Sequence, residues 1–314
     1  MKVQSAQSKK KRRRLTGDDF ILHAMALPGF LALLIFSYIP MFGLIMAFQN
    51  MDFSKGIFGS PLIGLKNFEF LFRTQDAWRI TRNTVCYNVA FIVVNMFLAI
   101  LLALLLSEMY SKFLAKTVQT IFIMPYFLSA TVVSIIVFAF LSPTNGFVNK
   151  MLVQYFGWAP RHNWYSNISI WPGLFVLINA WKGVGYSAIV YLASISGISQ
   201  EYYEAAMLDG ASKFQQARFI TIPHLRAMAT ILLIMNVGSI FRSDFGLFYS
   251  VTQNSGRLYP VSDVIDTYIY RALTTLNNTG MATAAGLYQS VVGCIMVILS
   301  NKVVTMIEPD NALF

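Results

Sequence analysis

Apolar residues along the chain gather into six blocks, at residues 28–48, 84–107, 117–141, 170–196, 223–248 and 282–307, separated by stretches that hold most of the charge. Each block reaches the ~20 residues that an α-helix needs to cross a hydrocarbon core. The runs are continuous, unlike the alternating ten-residue segments of a barrel, and a backbone in lipid must satisfy its hydrogen bonds within its own segment. The pattern therefore predicts an all-α membrane protein with six transmembrane helices.

Composition agrees with that class. Of 314 residues, 56% are hydrophobic and 12% charged, about half the charged fraction of a soluble domain. The net charge of +10 raises the question of nucleic acid, but Lys2, Lys9, Lys10, Lys11, Arg12, Arg13 and Arg14 all precede the first block. A basic run beside a span is a topology signal, with anionic membrane lipid as its secondary partner, so no nucleic-acid partner is expected. The apolar part after this run is too long for a signal peptide and has no A-x-A-like cleavage site, so it reads as a retained anchor. The chain then divides into a basic cytoplasmic tail, 1–19, and a transmembrane domain, 20–314.

Six spans put both termini on one side. Lys112, Lys116, Lys213, Arg218, Arg226 and Lys302 join the tail there, and the resulting excess of Lys and Arg predicts cytoplasmic termini. Trp158, Trp164, Tyr165 and Trp171 flank an outer loop, where interfacial aromatic anchors are expected. Cys86 and Cys294 lie inside apolar blocks and form no metal motif.

The sizeable cytoplasmic loop is 197–223, within which "EYYEAAMLDGASKFQQARFITIPHL" begins at Glu201. It reads as two short helices. Ser199 suits an N-cap, with Glu201 and Glu204 near the positive helix end. Gly210 suits a left-handed C-terminal turn; Ala211, Phe214 and Ala217 share a stripe; and Pro223 suits the first turn of span five. By shape alone this is either an interfacial linker or a docking element. For docking, Ala205 and Ala206 would allow close approach, Phe214 would anchor, and Glu204 and Asp209 would accept bonds from a partner's arginines.

The residues Glu204-Ala205-Ala206, followed at fixed spacing by Gly210, Ile220 and Ile222-Pro223, resemble the EAA loop of permease subunits of binding-protein-dependent ABC importers, with Ile222 where that pattern has Leu. The stretches "SYIPMFGLIMAF", "GSPLIGLKNFEFLF" and "WKGVGYSAIVYLASISGISQEYYEAAMLDGA" are similar to the carbohydrate branch, particularly permeases for complex oligosaccharides. The resemblance implies a type I importer permease fold with cytoplasmic coupling helices, in a bacterial plasma membrane. It implies as partners a second homologous permease subunit, two ATP-binding subunits, an extracytoplasmic solute-binding protein and an oligosaccharide. It also implies that Glu204, Ala205, Ala206, Asp209, Gly210, Ala211, Phe214 and Pro223 form the surface coupled to the ATPases.

The chain has no G-x-x-x-x-G-K-[ST], H-E-x-x-H, C-x-x-C or G-x-S-x-G run, and His23, His162 and His224 are scattered. A non-catalytic subunit with no cofactor or metal of its own is expected, with ATP and Mg carried by the partner ATPase subunits. Charges inside spans cost roughly 2.5–3.5 kcal/mol at a helix centre, so each requires a reason. Lys182 reads either as half of an internal ion pair or a snorkelling group, or as a lining residue of a substrate path; Arg242 and Asp244 are candidates for the same path, with pairing to each other the favoured reading. Sugar sites combine aromatic faces with amides and hydroxyls, which makes Asn179, Tyr186, Asn236 and Tyr288 candidates against ordinary polar helix packing. Lys182 and Arg242 also admit an acidic saccharide. An ion-coupled transporter would instead show mid-membrane carboxylates and internal repeats, and an intramembrane enzyme would show a nucleophile–base or metal set; the sequence displays neither.

Overall fold

The computed structural model describes residues 17–157 and 162–307. The basic residues from Lys2 to Arg14, together with Trp158 and Arg161, lie outside the described residues. Residues 17–19, grouped above with the tail, already belong to the first helix, α1 (Gly17–Leu33). This runs on through a π-helical turn, Leu34–Tyr38, and a tight 3-10 stretch, Ile39–Phe48, with Pro40 in its first turn. Proline cannot donate to the preceding turn, and the helix changes its winding around it. The second span is α2 (Gln75–Ser107), whose first turn is capped by the Thr74 hydroxyl accepting from the Ala77 amide.

The third apolar block is not one rod. It divides into α3 (Lys112–Ile123) and α4 (Ala130–Leu141), bent by 100° across a short 3-10 turn. Pro125 removes a backbone donor inside the block, and the Ser129 hydroxyl then accepts from the Val132 amide to start a new helix. Among the described residues five helices are long and apolar enough to span, and six if the bent pair counts as one. The fourth span is centred on α5 (Trp171–Ser196), which lies against the bend. A Cβ added at Gly185 would fall 2.0 Å from the Phe122 carbonyl oxygen, so glycine is what lets the two backbones meet.

After α5 comes α6 (Gln200–Leu208), then α7 (Lys213–Gln216), which passes through a π-helical turn, Ala217–Thr221, directly into α8 (Ile222–Gly238). Span five is thus Lys213–Gly238, starting and ending about ten residues earlier than the apolar block suggests. Residues 239–244 leave the helix, and Arg242 and Asp244 therefore sit on turn backbone. The chain closes with α9 (Ile265–Thr274) and the last span, α10 (Thr279–Ile307).

The core is built chiefly between α2 and α5. Ala99, Ala103, Ala180 and Ala188 bring the two helices together on the side near α6, with Tyr191 and Leu225 filling the space beside them. Small residues at such contacts are expected where lipid supplies no hydrophobic drive between helices. Toward the opposite side Tyr87, Phe91, Trp171, Phe175 and Phe248 form an aromatic cluster. Trp171 and Tyr165 are buried in it rather than acting as interfacial anchors, and the Trp171 indole donates to the Trp164 carbonyl at 3.0 Å. Side chains turned away from the bundle, such as Phe97, Leu105, Ile135, Leu177 and Ile298, are exposed and apolar, as lipid contact requires.

A polar clamp closes the end of the bundle remote from α6. The Asp263 carboxylate, 1% exposed, takes the Arg79 guanidinium at 3.0 Å and that of Arg271 on its other oxygen. The Asn83 amide donates to the carbonyls of Pro260 and Asp263, and the Thr84 hydroxyl accepts from the Ile265 amide. The start of α2 is thereby fixed to the segment leading into α9.

Candidate translocation path and coupling surface

Asn88 and Asn95 are seven residues apart on α2, and Asn179 and Tyr186 are seven apart on α5, so each pair shares one helix face. The two faces meet with Asn236 of α8 and with Tyr126, from the bend in span three, around a cavity of about 360 Å³. That size lies within the ordinary range for small-molecule sites. The Asn95 amide donates to the Asn179 side-chain oxygen at 2.7 Å, while the buried Asn95 side-chain oxygen has no partner among the described residues. Tyr126 and Tyr186 stack with centroids 4.5 Å apart and planes 11° from parallel. Asn236 donates to the Leu232 carbonyl one turn back, at 2.7 Å. The cavity thus offers aromatic surface beside amide groups with unused bonding capacity.

Of the seven expected path residues, Asn179, Tyr186 and Asn236 line this cavity. Lys182 does not. It faces a small neighbouring hollow that shares Asn179, where its ammonium lies 3.7 Å from the Asp244 carboxylate. The expected Arg242–Asp244 pair is therefore replaced by Lys182–Asp244: with α8 ending at Gly238, the turn that follows carries Asp244 toward α5, and its other oxygen accepts from the Leu247 amide. Tyr288, on α10, packs edge-on against Phe241 and is not in the cavity wall. Asn88, Asn95 and Tyr126 are lining residues that the sequence reading missed. Their signal was an asparagine repeated at a two-turn interval inside an apolar helix, and a tyrosine beside Pro125.

Arg242 borders a second hollow of about 270 Å³, with Ser239 common to both. Its backbone is held from two directions. Asn88 donates to the carbonyls of Ile240 at 2.9 Å and Arg242 at 3.0 Å, while Asp266 accepts from the Ser243 amide at 2.7 Å and from Gln289 at 3.0 Å. Burial pushes the Asp266 carboxyl up, although those two donors and Arg242 pull it down. The Arg242 side chain is exposed and has no acceptor among the described residues.

At the opposite end, α6 and α7 form a projecting corner. Ser199 caps α6 by accepting from the Glu201 amide. The α6 C-terminus closes with the Ala211 amide on the Ala206 carbonyl at 2.9 Å and the Gly210 amide on that of Met207 at 3.1 Å, the paired bonds of a Schellman turn. Gly210 has φ +78° and no neighbour that a Cβ would meet, so it is there for conformation. Ser212 and Gln215 then form a reciprocal capping box for α7. Leu208 and Phe214 are 89% and 73% exposed. Glu204, Ala205, Asp209, Gly210 and Pro223 are also exposed, and Ala206 and Ala211 partly so. Ala211 precedes α7, so the expected stripe begins at Phe214. The corner is braced to its own chain by Lys213 with Glu108, 3.0 Å, and by Tyr203 with Thr221, 2.9 Å.

A polar cavity between spans, joined through one continuous helix to an exposed, rigidly capped corner, defines the transmembrane subunit of a transporter. The chain belongs to the binding-protein-dependent transport system inner membrane component family, whose model matches residues 95–307, and is a multi-pass permease subunit of an ABC importer. It is 33% identical over 297 residues to the polygalacturonan/rhamnogalacturonan transport system permease protein YteP of Bacillus subtilis (strain 168), covering 94% of this chain and 91% of that one. To protein LplB of the same organism it is 32% identical, covering 93% and 91%. Its fold matches a chain of a bacterial ABC transporter involved in import of the acidic polysaccharide alginate, with TM-score 0.83, 35% identity and coverage of 93% and 97%. A chain of an alginate transporter solved with its periplasmic protein bound to alginate pentasaccharide matches with TM-score 0.82, 34% identity and coverage of 92% and 96%.

Proposed function

We propose that this subunit imports an oligosaccharide handed over by an extracytoplasmic solute-binding protein, with its termini on the cytoplasmic side of a bacterial plasma membrane. It works beside a second, homologous and non-identical permease. Two ATP-binding subunits carry ATP and Mg, and this chain takes no part in the hydrolysis. The tail, 1–19, stays outside the transmembrane domain, 20–314, and the loop 197–223 meets the ATPases. The observation that carries the saccharide reading is the cavity, because tyrosine faces suit the C–H patches of a pyranose and unspent amide groups suit its hydroxyls. The sugar relatives named above support the same class.

The loop converts nucleotide-driven movement into movement of the path. Glu204 anchors by charge-assisted bonds, Ala205 and Ala206 give close-contact surface, Asp209 accepts from a basic partner group, and Phe214 fills a partner groove. Gly210 and Ala211 set the corner angle, and Pro223 marks where the corner enters the membrane. Asn179, Tyr186 and Asn236 contact substrate, joined by Asn95 and Tyr126; Lys182 and Asp244 hold the wall behind Asn179, while Arg242 and Tyr288 flank it. The test is reconstitution. The tagged chain should co-purify with a second permease and an ATPase, and proteoliposomes should accumulate labelled oligosaccharide only with ATP and binding protein. Accumulation without a nucleotide-hydrolysing companion, or of non-carbohydrate solutes alone, overturns the reading.

A further inference from the structure

The cavity of about 360 Å³ lies near the small end of the range for ligand sites, so an oligosaccharide that fills it has further rings to place elsewhere. Aromatic surface for them stands at the end of the bundle remote from α6. Past Asp244 the chain makes a π-helical turn, Gly246–Ser250. Leu247 and Phe248 are buried in the core, while Phe245 and Tyr249 stay partly exposed and stack at 4.8 Å with planes 16° apart. Tyr270 of α9, 39% exposed, packs on both rings at 4.9 Å. Tyr249 is within electrostatic reach of Tyr259 and Arg271. The Arg271 guanidinium lies over the Tyr259 ring at 4.4 Å, and the Tyr259 hydroxyl donates to the Asn254 side-chain oxygen at 3.1 Å. Gln253 and Asn254 hold left-handed backbone, φ +55° and +47°, a conformation that costs non-glycine residues and gathers at ligand sites. Gln253 is pinned there by the Ser134 hydroxyl at 2.9 Å, whereas Asn254 is exposed and its amide hydrogens have no acceptor among the described residues. Asp263 answers the Arg271 charge, so the patch favours flat apolar faces and hydroxyls over charge, which is the surface of a sugar ring. It also continues the path. Asp244, just before Phe245, lines the hollow that shares Asn179 with the cavity, and Asp266, one turn before Tyr270 on α9, holds the Ser243 amide.

We propose that Phe245, Tyr249, Tyr259 and Tyr270, with the Asn254 amide, form a second saccharide subsite outside the cavity. It takes the trailing rings of an oligosaccharide whose leading end lies against Tyr126, Tyr186 and the Asn95–Asn179 pair. This rests on the saccharide reading above. Chain length is then read at the aromatic patch, while the cavity alone serves the shorter oligomers.

The test uses the complete importer in proteoliposomes with its binding protein. The probes are labelled ladders, from disaccharide to octasaccharide, cut from polygalacturonan, alginate and arabinan. For each variant the uptake of the longest oligomer that wild type carries is divided by that of the shortest, and the shortest also reports an assembled complex. Tyr249→Leu and Tyr270→Leu keep apolar bulk without a flat ring and should lower this ratio by about fivefold or more. Tyr249→Phe and Tyr270→Phe keep the ring and should stay within about twofold of wild type. Asn254→Gly retains the left-handed turn at no steric cost while losing the amide, and should lower the ratio by about threefold. An equal loss at every length, an unchanged ratio in the leucine variants, phenylalanine variants as impaired as the leucine ones, or wild-type uptake confined to disaccharides overturns the proposal and leaves the saccharide reading standing. Uptake of no glycan overturns both.

Discussion

Gly210 isolates one physical variable. Its φ of +78° lies in the left-handed region, and an added Cβ would meet nothing within 4 Å. The penalty for another residue is therefore backbone conformation alone, about 1–2 kcal/mol for an ordinary L-residue, more for a β-branched one and less for asparagine. The Ala211–Ala206 and Gly210–Met207 bonds exist only while that conformation is held. A loss of 1–2 kcal/mol depletes the closed corner by a factor of about 5–30, while spans Gln75–Ser107 and Ile168–Ser196 are untouched. Gly210→Val should therefore insert and assemble normally but lose most of its stimulation of ATP hydrolysis by loaded binding protein. Gly210→Ala should be intermediate and Gly210→Asn near wild type. The assay is stimulated ATPase rate in proteoliposomes alongside surface accessibility of the complex. Equal coupling by the valine and asparagine variants would refute the conformational argument.

Further tests address packing and electrostatics. Gly185→Ala sets a methyl group against the Phe122 carbonyl and should cost about 3 kcal/mol, the upper part of the overpacking range, read as a lower thermal midpoint of the purified complex. Asp263→Asn leaves Arg271 without its carboxylate, while Arg79 keeps Asp76 at 2.9 Å; a loss of about 3 kcal/mol is expected, because removing one member of a buried pair strands its partner, and chemical denaturation would measure it. Lys213→Ala breaks a largely exposed pair with Glu108 and should change stability and uptake by less than about 0.5 kcal/mol equivalent. Burial raises the Asp266 carboxyl, so its contribution to stability is full below the unfolded value of 3.8 and is lost as pH rises through the higher native value. Asp266→Asn removes that loss, and its thermal midpoint relative to wild type should climb as pH rises above 3.8.

Much of this architecture is written in local sequence. Hydropathy alone marks the spans because lipid demands long apolar helices, and the corner is legible because caps and left-handed turns need particular residues, as Ser199 and Gly210 show. The S-x-x-Q box at Ser212 and the Pro125–Ser129 break were equally local, and both explain where elements depart from the apolar blocks. Other features have no local signature. Asp263 meets Arg79 across 184 positions of sequence, and the choice of Lys182 over Arg242 by Asp244 depends on where α8 stops. Asn95 and Tyr126 became cavity residues only once α2, α5 and the bend had been brought together.

One geometric fact carries further. Because Lys213–Gly238 is a single helical run of 26 residues, it is roughly 39 Å of stiff rod at 1.5 Å per residue, with the α6–α7 corner at one tip and the Arg242 turn just beyond the other. A swing of about 5° about one tip displaces the other by roughly 3 Å over such a length, as far as the Asn88 hydrogen bonds to Ile240 and Arg242 can reach. A modest nudge from the nucleotide side would thus unlatch the turn and reshape the sugar's surroundings, with no relay of side chains needed in between.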